Sequence, residues 1–130
     1  MTTEPKTEVE YYTSESLKGL PFSEAVRVGR MLYLSGKLGT DRSGKVVTGG
    51  IAAETRQAME NVKAALERCG SSLEHVVKAT VMLADMNEWS EMNQVYVAYF
   101  PTNLPARSAM GVNGLARGAR VEIEVIAVIK

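Results

Sequence analysis

Apolar and polar positions divide the chain into short strands and two helices. Ala25–Val28 and Met31–Ser35 read as strands, with Gly29-Arg30 between them. Glycine at the first central position suits a type II′ turn, which needs a positive φ there, so a hairpin is expected. From Gly39 to Gly50 the sequence is rich in Gly, Thr, Asp and Ser and reads as a loop. Ile51, Thr55, Ala58, Met59, Val62, Ala65, Leu66 and Cys69 then recur at the 3.6-residue period of an amphipathic helix. Gly70 follows as a C′ residue able to take the left-handed conformation that closes a helix. Val76–Leu83 is rich in β-branched residues and reads as a strand. Asn87 is placed to cap a second helix whose apolar side carries Trp89, Met92, Val95, Tyr96, Tyr99 and Phe100. Pro101 ends it by pushing its predecessor out of the α region. Arg107–Gly111 reads as a short extended piece, and Ala119–Ile129 as the strongest strand in the chain.

The order strands, helix, strand, helix, strands predicts an α+β sandwich: one mixed sheet with two helices on one face. The last strand adds a constraint. Its odd positions, Val121, Ile123, Val125, Ala127 and Ile129, are all apolar, while its even positions run Glu122, Glu124, Ile126, Val128. Both faces are apolar toward the C-terminal end, as in strands buried on both sides. Met31, Leu32, Tyr33 and Leu34 show the same pattern. Two helices cover one face of such a sheet, so another copy of the chain is expected over the second.

Composition narrows the chemistry. The 130 residues suit one domain, and 45% are hydrophobic. Lys+Arg and Asp+Glu are equal at 15 each, a balance that argues against nucleic acid as the main partner. No apolar run reaches the length of a membrane span. The segment 1–8 is polar, has no apolar core of a secretion signal, and is expected to fray. One cysteine, Cys69, fits a reducing compartment and hence a cytoplasmic protein. One histidine, His75, leaves little room for zinc sites, Ser-His-Asp triads or Cys-His dyads. No metal or cofactor is expected, so chemistry falls to carboxylates, Arg, Lys, hydroxyls, backbone groups and water.

Arg107 lies in Leu-Pro-Ala-Arg-Ser-Ala-Met, among small and apolar neighbours, where a guanidinium must find an anion or reach solvent. It is a structural partner of Glu122 or Glu124, a snorkelling side chain, or a two-pronged clamp for a substrate carboxylate. Glu122 and Glu124 share a face of the last strand. Glu122 is the candidate for placing a water, and Glu124 reads as solvated. Ser35-Gly36 ends a strand where glycine lets backbone approach a ligand. Asn93 lies on the second helix beside Met92 and Tyr96. Cys69 reads as core, His75 as surface, Met59, Met82, Met92 and Met110 as core or interface filler, and Lys37, Arg117 and Arg120 as solvated.

These residues carry a resemblance. Leu104-Pro105-Ala106-Arg107-Ser108-Ala109-Met110-Gly111-Val112, Leu115, and Val121-Glu122-Ile123-Glu124-Val125-Ile126-Ala127-Val128 are similar to the C-terminal signature of the RidA/YjgF family. Leu34-Ser35-Gly36, Asn61-Val62-Lys63, Val77-Lys78-Ala79-Thr80-Val81 and Met92-Asn93-Gln94-Val95-Tyr96 agree upstream. The resemblance covers the chain from about Leu20 onward. It implies a chorismate-mutase-like fold over 9–130, a homotrimer with three clefts between subunits, and a 2-iminobutanoate/2-iminopropanoate deaminase. Such an enzyme hydrolyses enamine and imine intermediates such as 2-aminoacrylate to 2-oxo acids and ammonia. Arg107 matches the family's carboxylate-binding arginine, Glu122 the water-placing glutamate, and Ser35 and Asn93 cleft positions, with Gly36 beside Ser35 as a further substrate-binding candidate.

Three positions depart from the family pattern. Phe22 stands where a Tyr is common, keeping an apolar wall without the hydroxyl. Ala109 replaces a common Cys, and Lys37 stands where Gln is common. Rival readings are a non-catalytic trimer that binds small carboxylates, an endoribonuclease, and a holdase acting through apolar clefts.

Overall fold

The computed structural model describes residues 7–130. The expected loose N-terminal segment therefore lies almost wholly outside the described residues. In chain order the strands are β1 (Val9–Tyr12), β2 (Ala25–Val28), β3 (Met31–Leu34), β4 (Lys37–Leu38), β5 (Val76–Leu83), β6 (Ala106–Gly111) and β7 (Val121–Val128). Helix α1 (Gly50–Arg68) precedes β5, and α2 (Trp89–Val97) precedes β6. All strands join one sheet in the order β1-β2-β3-β7-β5-β6, with β4 paired to β7 beyond the end of β3. Only the β5–β6 pairing is parallel; the sheet is mixed. The expected α+β architecture is the one observed.

The hairpin forms where expected. Val28 pairs with Met31, and Gly29 carries the positive φ of 59° that the two-residue turn requires. The helix stripe is also as expected: Ile51, Thr55, Ala58, Met59, Val62, Ala65, Leu66 and Cys69 are all buried. At its end Ser71 N–H donates to the Leu66 carbonyl and Gly70 N–H to that of Glu67. Gly70 sits at φ 86°, which makes this a Schellman closure. Burying a side chain such as Leu66 contributes about 1.5–3 kcal/mol.

Two expectations, for Asn87 and Lys37, need correction. Asn87 does not cap α2: its own N–H donates to the Asp85 carboxylate at 2.9 Å, and one 3-10 turn over Met86–Glu88 precedes the helix. Asp85, two residues earlier, satisfies the free amide. Lys37 is not solvated, because its side chain is only 15% exposed and meets Glu24. Arg120 reaches the Glu88 carboxylate at 2.8 Å, and its backbone N–H donates to the buried Glu54 carboxylate. β1 and β4 were not expected as strands.

The odd positions of β7 pack into the single core with α1 and with Met92, Tyr96 and Phe100 around α2. On the other face Glu122, Ile126 and Val128 are half-buried and Glu124 is exposed. Tyr33, opposite Ile126, and Met110, beyond β5, are also exposed there. Both helices thus cover one face, and the chain alone leaves the second open.

Candidate active site

Strand register decides where each candidate side chain stands. Arg107 pairs with Ala79, and Ala79 pairs across β7 with the buried Val125. Side chains of paired residues share a face, so Arg107 lies on the helix-covered side, on the edge strand β6. Glu122 pairs with Met82 on β5 and Leu38 on β4, and lies on the open side. The two principal candidates therefore stand on opposite faces of one sheet. Pairing of Arg107 with Glu122 or Glu124, one of the readings open from the sequence, does not occur.

Arg107 is framed by α2. Residues 89, 93 and 96 are spaced four and three apart, which puts them on one stripe of a helix. Asn93 Oδ1 accepts from Arg107 Nη1 at 2.7 Å. The guanidinium carbon sits 4.9 Å from the Tyr96 ring centroid and 5.9 Å from that of Trp89, within cation–π range. Among the described residues Asn93 is its sole hydrogen-bond partner, so the rest of the fork is unspent. It opens on a depression of about 480 Å³ lined by Asn93, Tyr96, Val97, Leu104 and Pro105. A cation held by aromatic faces beside an apolar hollow is suited to an anionic head with a short apolar tail. Sequence reading missed Trp89 and Tyr96 as parts of this frame, because aromatics on a helix stripe read as core. Tyr96 is indeed buried, and its hydroxyl has no hydrogen-bond partner among the described residues.

Ser35, Gly36 and Glu122 form a second cluster. Ser35 N–H donates to the Glu24 carbonyl at 2.9 Å and its Oγ to the Ser23 carbonyl at 2.6 Å. Gly36 lies directly against the Glu122 carboxylate: a Cβ there would stand 2.9 Å from its carboxyl carbon. Only glycine leaves that carboxylate in place. Burial pushes the Glu122 carboxyl above its ordinary value, and the neighbouring Glu124 charge adds to this. Phe22 precedes β2 and is 49% exposed. The structure thus brings Arg107 together with Asn93, and Ser35 and Gly36 together with Glu122, but does not bring the two groups together within one chain. Among the described residues no three His, Cys, Asp or Glu side chains gather as a metal site. Cys69 is buried in the core, and His75 accepts or donates a bond to Ser72 Oγ at 2.7 Å.

A family model described as Endoribonuclease L-PSP matches residues 14–129. The chain belongs to this family, the YjgF/RidA family that its C-terminal signature resembles. Among its relatives, the 2-iminobutanoate/2-iminopropanoate deaminase of Mus musculus is 49% identical over 109 residues, covering 83% of this chain and 81% of the relative. The Homo sapiens protein of the same name is 45% identical, covering 83% and 80%. Among solved structures, the E. coli YjgF gene product superposes with a TM-score of 0.85 at 32% identity, over 93% of this chain and 99% of that one. The yeast YEO7 protein reaches a TM-score of 0.89 at 37% identity, over 95% and 100%.

Proposed function

We propose that the chain is a 2-iminobutanoate/2-iminopropanoate deaminase, hydrolysing short 2-imino acids to 2-oxo acids and ammonia. Its relatives in mouse and human carry that name. The observation that carries the reading is the unspent guanidinium of Arg107 above its apolar hollow. A 2-imino acid offers one fixed charge, its carboxylate, and the zero net charge of the chain gives no long-range steering. Local recognition must come from a fork such as Arg107.

The water-placing group is Glu122, and because it faces away from Arg107 within one chain, the reading requires a second copy. Each active cleft is assembled from Arg107 and Asn93 of one subunit and Ser35, Gly36, Glu122 and Phe22 of the next. The open sheet face supports such an assembly, and a homotrimer of three clefts accommodates it. In the cleft Arg107 holds the carboxylate. Glu122, ionised, takes a proton from water as its oxygen attacks the imine carbon. The proton passes to nitrogen to give the tetrahedral carbinolamine, Glu122 then relays the hydroxyl proton to the same nitrogen, and the C–N bond breaks so that ammonia leaves as the carbonyl forms. Orientation and electrostatics suffice for this step, without a metal or covalent nucleophile. Phe22 supplies an apolar wall for the substrate's short chain. The lone buried Cys69 suits a cytoplasmic setting.

The test generates imino acids in situ with an amino-acid oxidase and follows ammonia release with and without the protein. Acceleration with the imines of alanine and 2-aminobutanoate is expected. Imine decay at the uncatalysed rate, with 2-oxobutanoate still bound, would favour the carboxylate-binding trimer instead.

A further inference from the structure

Glu24 is 4% exposed at the start of β2 and would be costly there unpaired. Arg68, at the end of α1, donates to its Oε1 twice, from Nε at 3.1 Å and Nη2 at 2.8 Å. Lys37 Nζ reaches Oε2 at 3.4 Å. The opposing positive charges outweigh burial and hold the Glu24 carboxyl below its ordinary value. Arg68 alone would neutralise it, so the second cation calls for another explanation.

Lys37 is the residue after Gly36. It pairs with Ile123, so its side chain runs on the helix-covered face while Glu122, the next residue along β7, projects on the other. Ser35-Gly36 is therefore bracketed by Glu24 from both ends. The Glu24 carbonyl accepts from the Ser35 amide before it, and the Glu24 carboxylate takes the Lys37 ammonium after it. The Glu122 carboxylate in turn occupies the space that a Cβ on Gly36 would fill, so the two groups lie directly against each other. We infer that Glu24 is a positioning residue: acting through Lys37, it fixes Gly36 and so the place of the Glu122 carboxylate. The role rests on the deaminase reading for its kinetic consequence, but the geometry is independent of it.

The two cations separate this role from plain stabilisation. Lys37→Met keeps most of the side-chain bulk and leaves Glu24 paired with Arg68, but releases Gly36. The turnover number should fall by roughly ten-fold, as for a slightly misplaced reacting group, while 2-oxobutanoate affinity, set by Arg107, stays within about two-fold. Amide exchange at Ser35 and Gly36 should accelerate. Arg68→Met cuts the other tie, whose side chain is 54% exposed, and should lower the melting temperature with turnover and those two amides unchanged. Wild-type turnover and exchange in Lys37→Met, or equal losses in both variants, would overturn the role. If the wild-type protein hydrolyses no imine, the deaminase reading fails by itself, and exchange at Ser35 and Gly36 alone decides whether Lys37 holds them.

Discussion

In the proposed mechanism Arg107 and Glu122 divide the work, and their environments make opposite demands. Arg107 gains from its frame, whereas Glu122 is held in surroundings that disfavour its charge. Arg107→Lys keeps the charge but loses the fork, so 2-oxobutanoate affinity should drop. Arg107→Ala should cost about 1.5–3 kcal/mol of binding, a ten- to hundred-fold weakening by titration. The folded pKa of Glu122 lies above the unfolded one, so the carboxyl destabilises the fold as pH rises through the folded value and is neutral in effect below the unfolded value. Glu122→Gln should therefore hold or raise the melting temperature at neutral pH while lowering turnover. A lowered melting temperature with unchanged turnover would make Glu122 structural. The rate should fall on the acid side as Glu122 protonates, with the limb displaced upward from where an ordinary glutamate would put it. Glu124→Gln, which removes the second cause of the shift, should move that limb to lower pH in a rate profile.

At the level of elements, α2 functions as the back plate of Arg107. Trp89→Leu removes one aromatic face, a contact contributing about 0.5–1 kcal/mol at an exposed site, so KM should rise about two- to five-fold with kcat held. Tyr96→Phe keeps the ring and deletes a buried hydroxyl that has no partner among the described residues. It should leave kcat/KM intact and the melting temperature equal or higher. A loss of activity in Tyr96→Phe would give that hydroxyl a role in the cleft. These elements also show what the sequence could convey. The α1 stripe and the two-faced β7 were legible because many apolar positions repeat one period. β1 was not, since Val9, Glu10 and Tyr11 are exposed and become a strand only by pairing with β2. β4 is two residues long and owes its form to β7. Arg107 was legible from its apolar setting, and Gly36 from its place at a strand end. That Arg107 and Glu122 face opposite ways depends on register through β5, β6 and β7, which no local pattern contains.

For the whole molecule, the helix-covered face is complete and the open face, with Tyr33, Ile126, Val128 and Met110, is not. Light scattering in dilute buffer should give three times the chain mass, and a folded monomer would remove the basis for a shared cleft. The sharing itself is open to a more direct measurement. Arg107→Ala and Glu122→Gln chains, each expected to be strongly impaired alone, can be co-expressed with different tags and the mixed assemblies isolated. If every cleft takes Arg107 from one subunit and Glu122 from its neighbour, each mixed trimer of either composition has about one third of its clefts with both residues intact. Imine hydrolysis should then return to roughly that fraction of the wild-type rate. Mixed assemblies no more active than their two parents would contradict a cleft built from opposite faces of two sheets.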